Sequence, residues 1–171
     1  MSLQLIIVVE TDSKCKSDWI YVKETIDCFY QYDRTHIKFS PVYMGGKGNY
    51  QKKEKEIKSL IKQFGNNGKQ SKVIYCFDCD DYDSNNVTHL FLSDVQKFCE
   101  KNGYDFVWFC RDVEHVFIGQ QIEKKQKKKV AERFKEKKSI KDVKLTKIEE
   151  TKYKNNSSNI LKILDKYLER K

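Results

Sequence analysis

The chain has 171 residues, with 34 Lys and Arg against 25 Asp and Glu, a formal net charge of +9, and 39% apolar and 13% aromatic residues. That is too much core material for a disordered chain, and the length suits a single domain that buries roughly two-thirds of its unfolded surface. No apolar run approaches the roughly 20 residues of a membrane span, and Met1-Ser2-Leu3-Gln4 lacks the basic start of a signal peptide. A soluble, cytoplasmic protein with no membrane partner is therefore expected, and for so basic a chain nucleic acid is the first partner to consider.

In chain order, Leu3 to Val9 is a nearly continuous apolar run rich in β-branched residues, the pattern of a strand buried on both faces. Trp19, Val22, Ile26, Phe29 and Tyr30 then recur at helical spacing. His36 to Tyr43 reads as a second strand, placed near an edge or an end by Pro41, the only proline. Gly45-Gly46-Lys47-Gly48-Asn49 is a loop. Ile57, Leu60, Ile61 and Phe64 form the stripe of a second helix that stops at Gly65-Asn66-Asn67-Gly68.

Val73 to Phe77 is a third buried strand that runs straight into Asp78-Cys79-Asp80-Asp81-Tyr82-Asp83. A third helix carries Val87, Leu90, Phe91, Val95, Phe98 and Cys99, and Tyr104 to Cys110 is a fourth strand. Beyond Arg111 everything reads as helical: a short piece near Glu114, a Lys-rich stretch, and a last amphipathic helix with Ile160, Leu161, Leu164 and Leu168. Strands alternating with helices imply an α/β fold with a mainly parallel four-stranded sheet covered on both faces. Residues 1–122 form that α/β domain, and 123–171 a basic helical C-terminal extension packed on it.

Charge is concentrated in one place. From Lys124 to Lys144 eleven basic residues face three acids, so this stretch carries +8 and the other 150 residues only +1. Two readings stand open: a solvated helix face, or a phosphate-contacting arm that includes Lys124, Lys125, Lys127, Lys128, Lys129 and Arg133. The six cysteines include one CxxC pair, Cys76 and Cys79. With no second pair and no histidine at short spacing, they read as reduced thiols and small buried hydrophobes rather than as a zinc site.

In an open parallel sheet, ligands bind beyond the carboxyl ends of the strands. Glu10 closes the first strand here, Asp78 and Asp80 follow the third, and Glu114 lies just past the fourth. Converging carboxylates repel one another, and a hard divalent cation relieves that repulsion and can polarise a phosphodiester. Each acid also has an ordinary structural role open to it. Glu10 could cap the next helix, Glu114 could start one, and Asp80, Asp81 and Asp83 could be turn or N-cap residues.

Val8-Val9-Glu10 and Phe77-Asp78-Cys79-Asp80 resemble the Toprim domain of DnaG-type primases, topoisomerases and OLD-family nucleases, whose Glu and Asp-x-Asp hold Mg²⁺. Two further segments, Arg111 to Phe117 and Asn155 to Ile160, are similar to motifs of the RloB-like branch, small Toprim proteins associated with bacterial restriction and abortive infection. The family's Gly after the first Glu is absent, since the chain reads Glu10-Thr11-Asp12-Ser13. Asp18 stands in for the acid that follows, and the Trp expected after the second Glu is missing. The resemblance implies a Toprim-like Rossmannoid three-layer fold and a Mg²⁺- or Mn²⁺-dependent nuclease acting on DNA or RNA in antiviral defence. Glu10, Asp78, Asp80 and Glu114 would be its metal-binding and catalytic acids. The alternatives are a degenerate module that binds nucleic acid or a defence-system partner protein without cutting, and an RNA-processing Toprim ribonuclease. Lys47 in the Gly-rich loop, Arg111 and His115 adjoin this proposed site, where they could meet phosphate; without the Walker pattern the loop reads first as an ordinary turn, and surface or packing roles are open to Arg111 and His115.

Overall fold

The computed structural model describes residues 1–65 and 67–171; Asn66, in the Gly-Asn-Asn-Gly stop of the second helix, lies outside the described residues. A five-stranded sheet forms the middle layer. Its strands in spatial order are β3 (Ile37–Tyr43), β1 (Ser2–Val9), β4 (Lys69–Asp78), β5 (Asp105–Cys110) and β6 (Ser157–Ser158). The first four are parallel and β6 runs antiparallel to β5.

The continuous apolar run of β1 is explained by its central place. Leu5, Ile7 and Val9 face one hydrophobic cluster and Ile6 and Val8 the other, and all five are fully buried. One amide shares that strand: Gln4 bridges Ser40 of β3 and Ser71 of β4, at 2.9 Å each, so its burial leaves no polar atom unpaired. Pro41 lies on β3, an edge strand, where its missing N–H costs no ladder bond.

Helices α2 (Glu54–Phe64) and α3 (Asn86–Asn102) cover one face through Ile57, Leu92, Val95 and Cys99. The other face is covered by α1 (Ser17–Phe29), α4 (Val113–Phe117), α5 (Lys127–Glu136) and α7 (Ile160–Leu164), with the single-turn helix α6 (Leu145–Ile148) contributing Ile148. Ala131 and Phe134 of the Lys-rich helix belong to the same cluster as β1, so the basic segment is fastened to the core by its apolar stripe. All six cysteines are free thiols, four of them buried. No helix among the described residues is long and apolar enough to cross a membrane.

The C-terminal region departs from the purely helical reading. Ser157 and Ser158 extend the sheet as β6, so it has five strands rather than four, the added one antiparallel at the edge of a mainly parallel sheet. The stripe from Ile160 to Leu168 is not one helix either. Helix α7 ends at Leu164, and Leu168 packs from the turn leading into β7 (Glu169–Arg170). Strand β7 pairs with β2 (Tyr30–Gln31), which takes Tyr30 out of the α1 stripe. Pairs this short carry no alternation that a sequence pattern can reveal.

Asn159 completes the exposed edge of β5 where β6 stops. Its Oδ1 accepts the Trp108 N–H and its Nδ2 donates to the Phe106 carbonyl, both at 3.0 Å. One side chain thus stands in for a strand. Asn159→Ala should cost about 2 kcal/mol, since two part-buried backbone groups lose their partners. Urea unfolding measures it, and a loss below about 0.5 kcal/mol would remove Asn159 from this role.

Candidate active site

The parallel register brings the carboxyl ends of four strands to one edge. There a cavity of about 560 Å³ is lined by Glu10, Asp12, Asp18, Asp78, Asp80 and Asp112, together with Lys124 and Lys127. Six acids against two lysines give it a formal charge of −4.

Five of these carboxylates are held in the same manner, with one oxygen anchored and the other without a protein partner among the described residues. The Asp78 N–H donates to Glu10 Oε1 at 2.8 Å, tying the end of β1 to the end of β4. Glu10 is thus a cross-strand brace and not a helix cap; α1 begins at Ser17, after the N-cap residue Lys16, with no side-chain cap at all. Asp78 Oδ1 accepts the Val113 N–H at 3.0 Å, and Asp18 Oδ2 accepts the Thr11 N–H at 3.3 Å. Lys47 Nζ lies 2.5 Å from Asp80 Oδ2, and Asp112 Oδ1 caps α4 by accepting the His115 N–H at 2.8 Å. Asp80 itself has a left-handed backbone, φ 48°, a conformation that Asp tolerates better than most residues.

The electrostatics follow from this crowding. Burial, reinforced by the Asp18 charge, pushes the Glu10 carboxyl up to about 8. Burial lifts Asp18 to about 6 and holds Asp78 well above the usual carboxylate range, with Glu10 and Asp18 adding to the rise at Asp78. Among the described residues the buried polar side-chain atoms without a partner are Thr11 Oγ1, Asp18 Oδ1, Tyr21 Oη and Glu114 Oε1, which come from one neighbourhood. Orphaned buried oxygens are rare in folded proteins, and their clustering here calls for a proton, water or ion.

The sequence-derived acids do not all reach the cavity. Glu10, Asp78 and Asp80 line it, whereas Glu114 sits behind the wall, its side chain fully buried and its Oε2 3.1 Å from Lys127 Nζ. Burial raises Glu114 to about 7 against the opposing pull of that ammonium. The acid expected to supply a fourth ligand is therefore engaged from behind by Lys127, which itself lines the cavity. Asp18, assigned only by resemblance, is a full member of the cavity, as is Asp112, which the sequence reading did not single out. The signal for Asp112 was its place one residue beyond Arg111, at the strand end.

The basic candidates also divide. Lys47 does not project freely from its loop but is engaged with Asp80. Lys124 and Lys127 line the acidic cavity, while Lys125, Lys128, Lys129 and Arg111 are exposed outside its wall and Arg133 opens onto a different cavity. His115 is held by Asp112 through Nδ1 at 2.8 Å. Asp81 accepts from Asn85 and Thr88 ahead of α3, and Asn85, not an aspartate, is the N-cap of that helix.

The donor set suits a hard cation, being oxygen throughout, crowded with like charge and incompletely hydrogen-bonded. Among the described residues no three donors close on a single point as a preformed cage. Mg²⁺ does not require one, because it commonly takes one or two carboxylates and completes its shell with water and phosphate oxygens. Fold and site together define an α/β protein of Rossmann-like three-layer build, with an acidic cavity at the carboxyl edge of its sheet. No family model, curated protein or solved structure matches the chain.

Proposed function

We propose that this protein is a divalent-metal-dependent phosphodiesterase of the Toprim kind, acting on DNA or RNA in a bacterial defence role. One observation carries the reading: Glu10, Asp18, Asp78, Asp80 and Asp112 surround one cavity, each anchored through one oxygen while the other has no protein partner among the described residues. Acids arranged only for stability would be fully paired or apart, since uncompensated like charge is destabilising.

Glu10, Asp18, Asp78 and Asp80 would hold Mg²⁺ or Mn²⁺, which supplies Lewis-acid polarisation of a phosphodiester and a water of lowered pKa. The chain contributes the rest. Braces from the Asp78 and Val113 N–H groups fix the carboxylates of Glu10 and Asp78 against rotation. Lys124 and Lys127 supply positive charge at the cavity wall, where a phosphate backbone would approach. Glu114 is a positioning residue in this scheme, holding Lys127 at the wall from behind. The competing reading, a binding module that does not cut, is favoured by the Lys47–Asp80 ion pair, which occupies one oxygen of a would-be ligand. Incubation of the purified protein with single- and double-stranded DNA and RNA in Mg²⁺ or Mn²⁺ decides between them. Metal-dependent cleavage is the expected result, and no cleavage of any of the four would leave only the binding module.

A further inference from the structure

A second cavity, of about 590 Å³, lies on the other side of Ile122, between the end of α4, helix α5 and the 139–147 segment. Ile122 lines both cavities, so the two are immediate neighbours. Their chemistry is opposite. The apolar lining of the second comes from Phe117, Ile122, Val130 and Phe134, with the two rings packed edge to face at 5.9 Å. Arg133, Lys137, Lys144 and Lys147 also line it, against Asp142 as the single acid, a formal +3. Among the described residues none of these four cations forms an ion pair with a carboxylate. Cations of a merely solvated helix face have no reason to gather around an apolar hollow. A ligand with a flat apolar body and several negative charges accounts for both features, and the volume falls in the range of small-molecule sites.

We propose that this cavity binds a nucleoside phosphate, its base against the Phe117–Phe134 floor and its phosphates on Arg133, Lys137, Lys144 and Lys147. The ligand could be a free nucleotide or one nucleotide of a strand whose neighbouring phosphodiester lies in the acidic cavity. The second source rests on the phosphodiesterase reading, whereas the first does not.

Calorimetric titration without divalent metal, using ATP, UTP and inorganic pyrophosphate at about 0.15 M salt, tests the shared chemistry. The nucleotides should bind more tightly than pyrophosphate. The double substitution Arg133→Glu and Lys144→Glu should weaken them at least about tenfold. Lys128→Glu with Lys129→Glu makes the same charge change on exposed α5 positions outside the cavity, and should cost less than about threefold. Val143 also lines the cavity, and Val143→Trp, which narrows it without altering charge, should also weaken nucleotide binding. Equal losses from the two charge-reversal pairs, equal affinity for pyrophosphate, or no nucleotide binding would each overturn the proposal. Anisotropy with labelled ten-residue oligonucleotides separates the sources. An oligonucleotide affinity that falls with the Arg133/Lys144 pair points to a substrate strand, and an unchanged one to a free nucleotide. Nucleotide binding without cleavage of any substrate would sink the phosphodiesterase reading alone. Cleavage indifferent to the Arg133/Lys144 pair, with no nucleotide bound, would sink the cavity alone.

Discussion

Asp78→Asn should cost at least about a hundredfold in metal-dependent phosphodiester cleavage while leaving nucleic-acid affinity within about threefold. The substitution is nearly isosteric, and Asn Oδ1 can still accept the Val113 N–H that Asp78 Oδ1 accepts at 3.0 Å, so the loop between β5 and α4 keeps its anchor. What disappears is one negative charge at the centre of the acid cluster, on a side chain only 8% exposed. Asp18→Asn should produce a loss of the same order, because Asp18 lines the same cavity with an unpartnered Oδ1. Glu114→Gln should fall by less than about tenfold, since Glu114 lies behind the wall and acts only through Lys127. Single-turnover cleavage rates with parallel anisotropy measurements give all three numbers. An Asp78→Asn protein that cuts within about threefold of the parent rate would reject the cavity as the active site.

The metal-free protein should lose stability as pH rises from about 4.5 to about 8, and Glu10→Gln should restore part of it. Glu10, Asp18 and Glu114 hold their protons up to about 8, 6 and 7, whereas in the unfolded chain they release them near 4. Across that window the native state binds more protons than the unfolded state, so unfolding free energy falls with pH. The stabilisation is fully present below the unfolded values and is lost as pH passes through the folded ones. Glu10→Gln retains the acceptor for the Asp78 N–H and removes one share of the penalty. It should gain about 1–2 kcal/mol at pH 8, because Glu10 keeps part of its surface in water, and almost nothing at pH 4.5. In a domain of this size that is a rise in Tm of roughly 2–8 °C. Thermal melts in chelator at the two pH values read the effect directly. Added Mg²⁺ should raise the Tm of the parent at pH 8 and shift that of the variant less. A metal-free protein that gains stability between pH 5 and pH 8 would contradict the account of the cluster.

Much of this architecture is legible along the chain because each core strand carries its own pattern. Six consecutive buried residues, Gln4 to Val9, and the buried run from Val73 into Asp78 and Cys79 identify central parallel strands without reference to anything distant. An acid that directly follows such a strand must emerge at its carboxyl end, which is why Glu10, Asp78 and Asp80 were accessible to reading. The short pairs β2–β7 and β5–β6 were not, since two residues have no period. They exist because Tyr30 and Phe109 find partners more than 45 residues away in sequence.

The +9 net charge and its concentration between Lys124 and Lys144 were determined by the sequence alone, as was the alternation that sets the class of fold. Only the tertiary structure decided what that charge does. Packing of Ala131 and Phe134 into the core rotates the basic helix so that Lys127 is drawn inward to a buried Glu114 and Arg133 opens onto an apolar cavity, while Lys128 and Lys129 stay in solvent. It likewise brought Asp18 and Asp112 into the acid cluster and withdrew Glu114 from it. A residue's chemistry is local, but whether its charge is neutralised, concentrated or solvated depends on neighbours that only folding supplies.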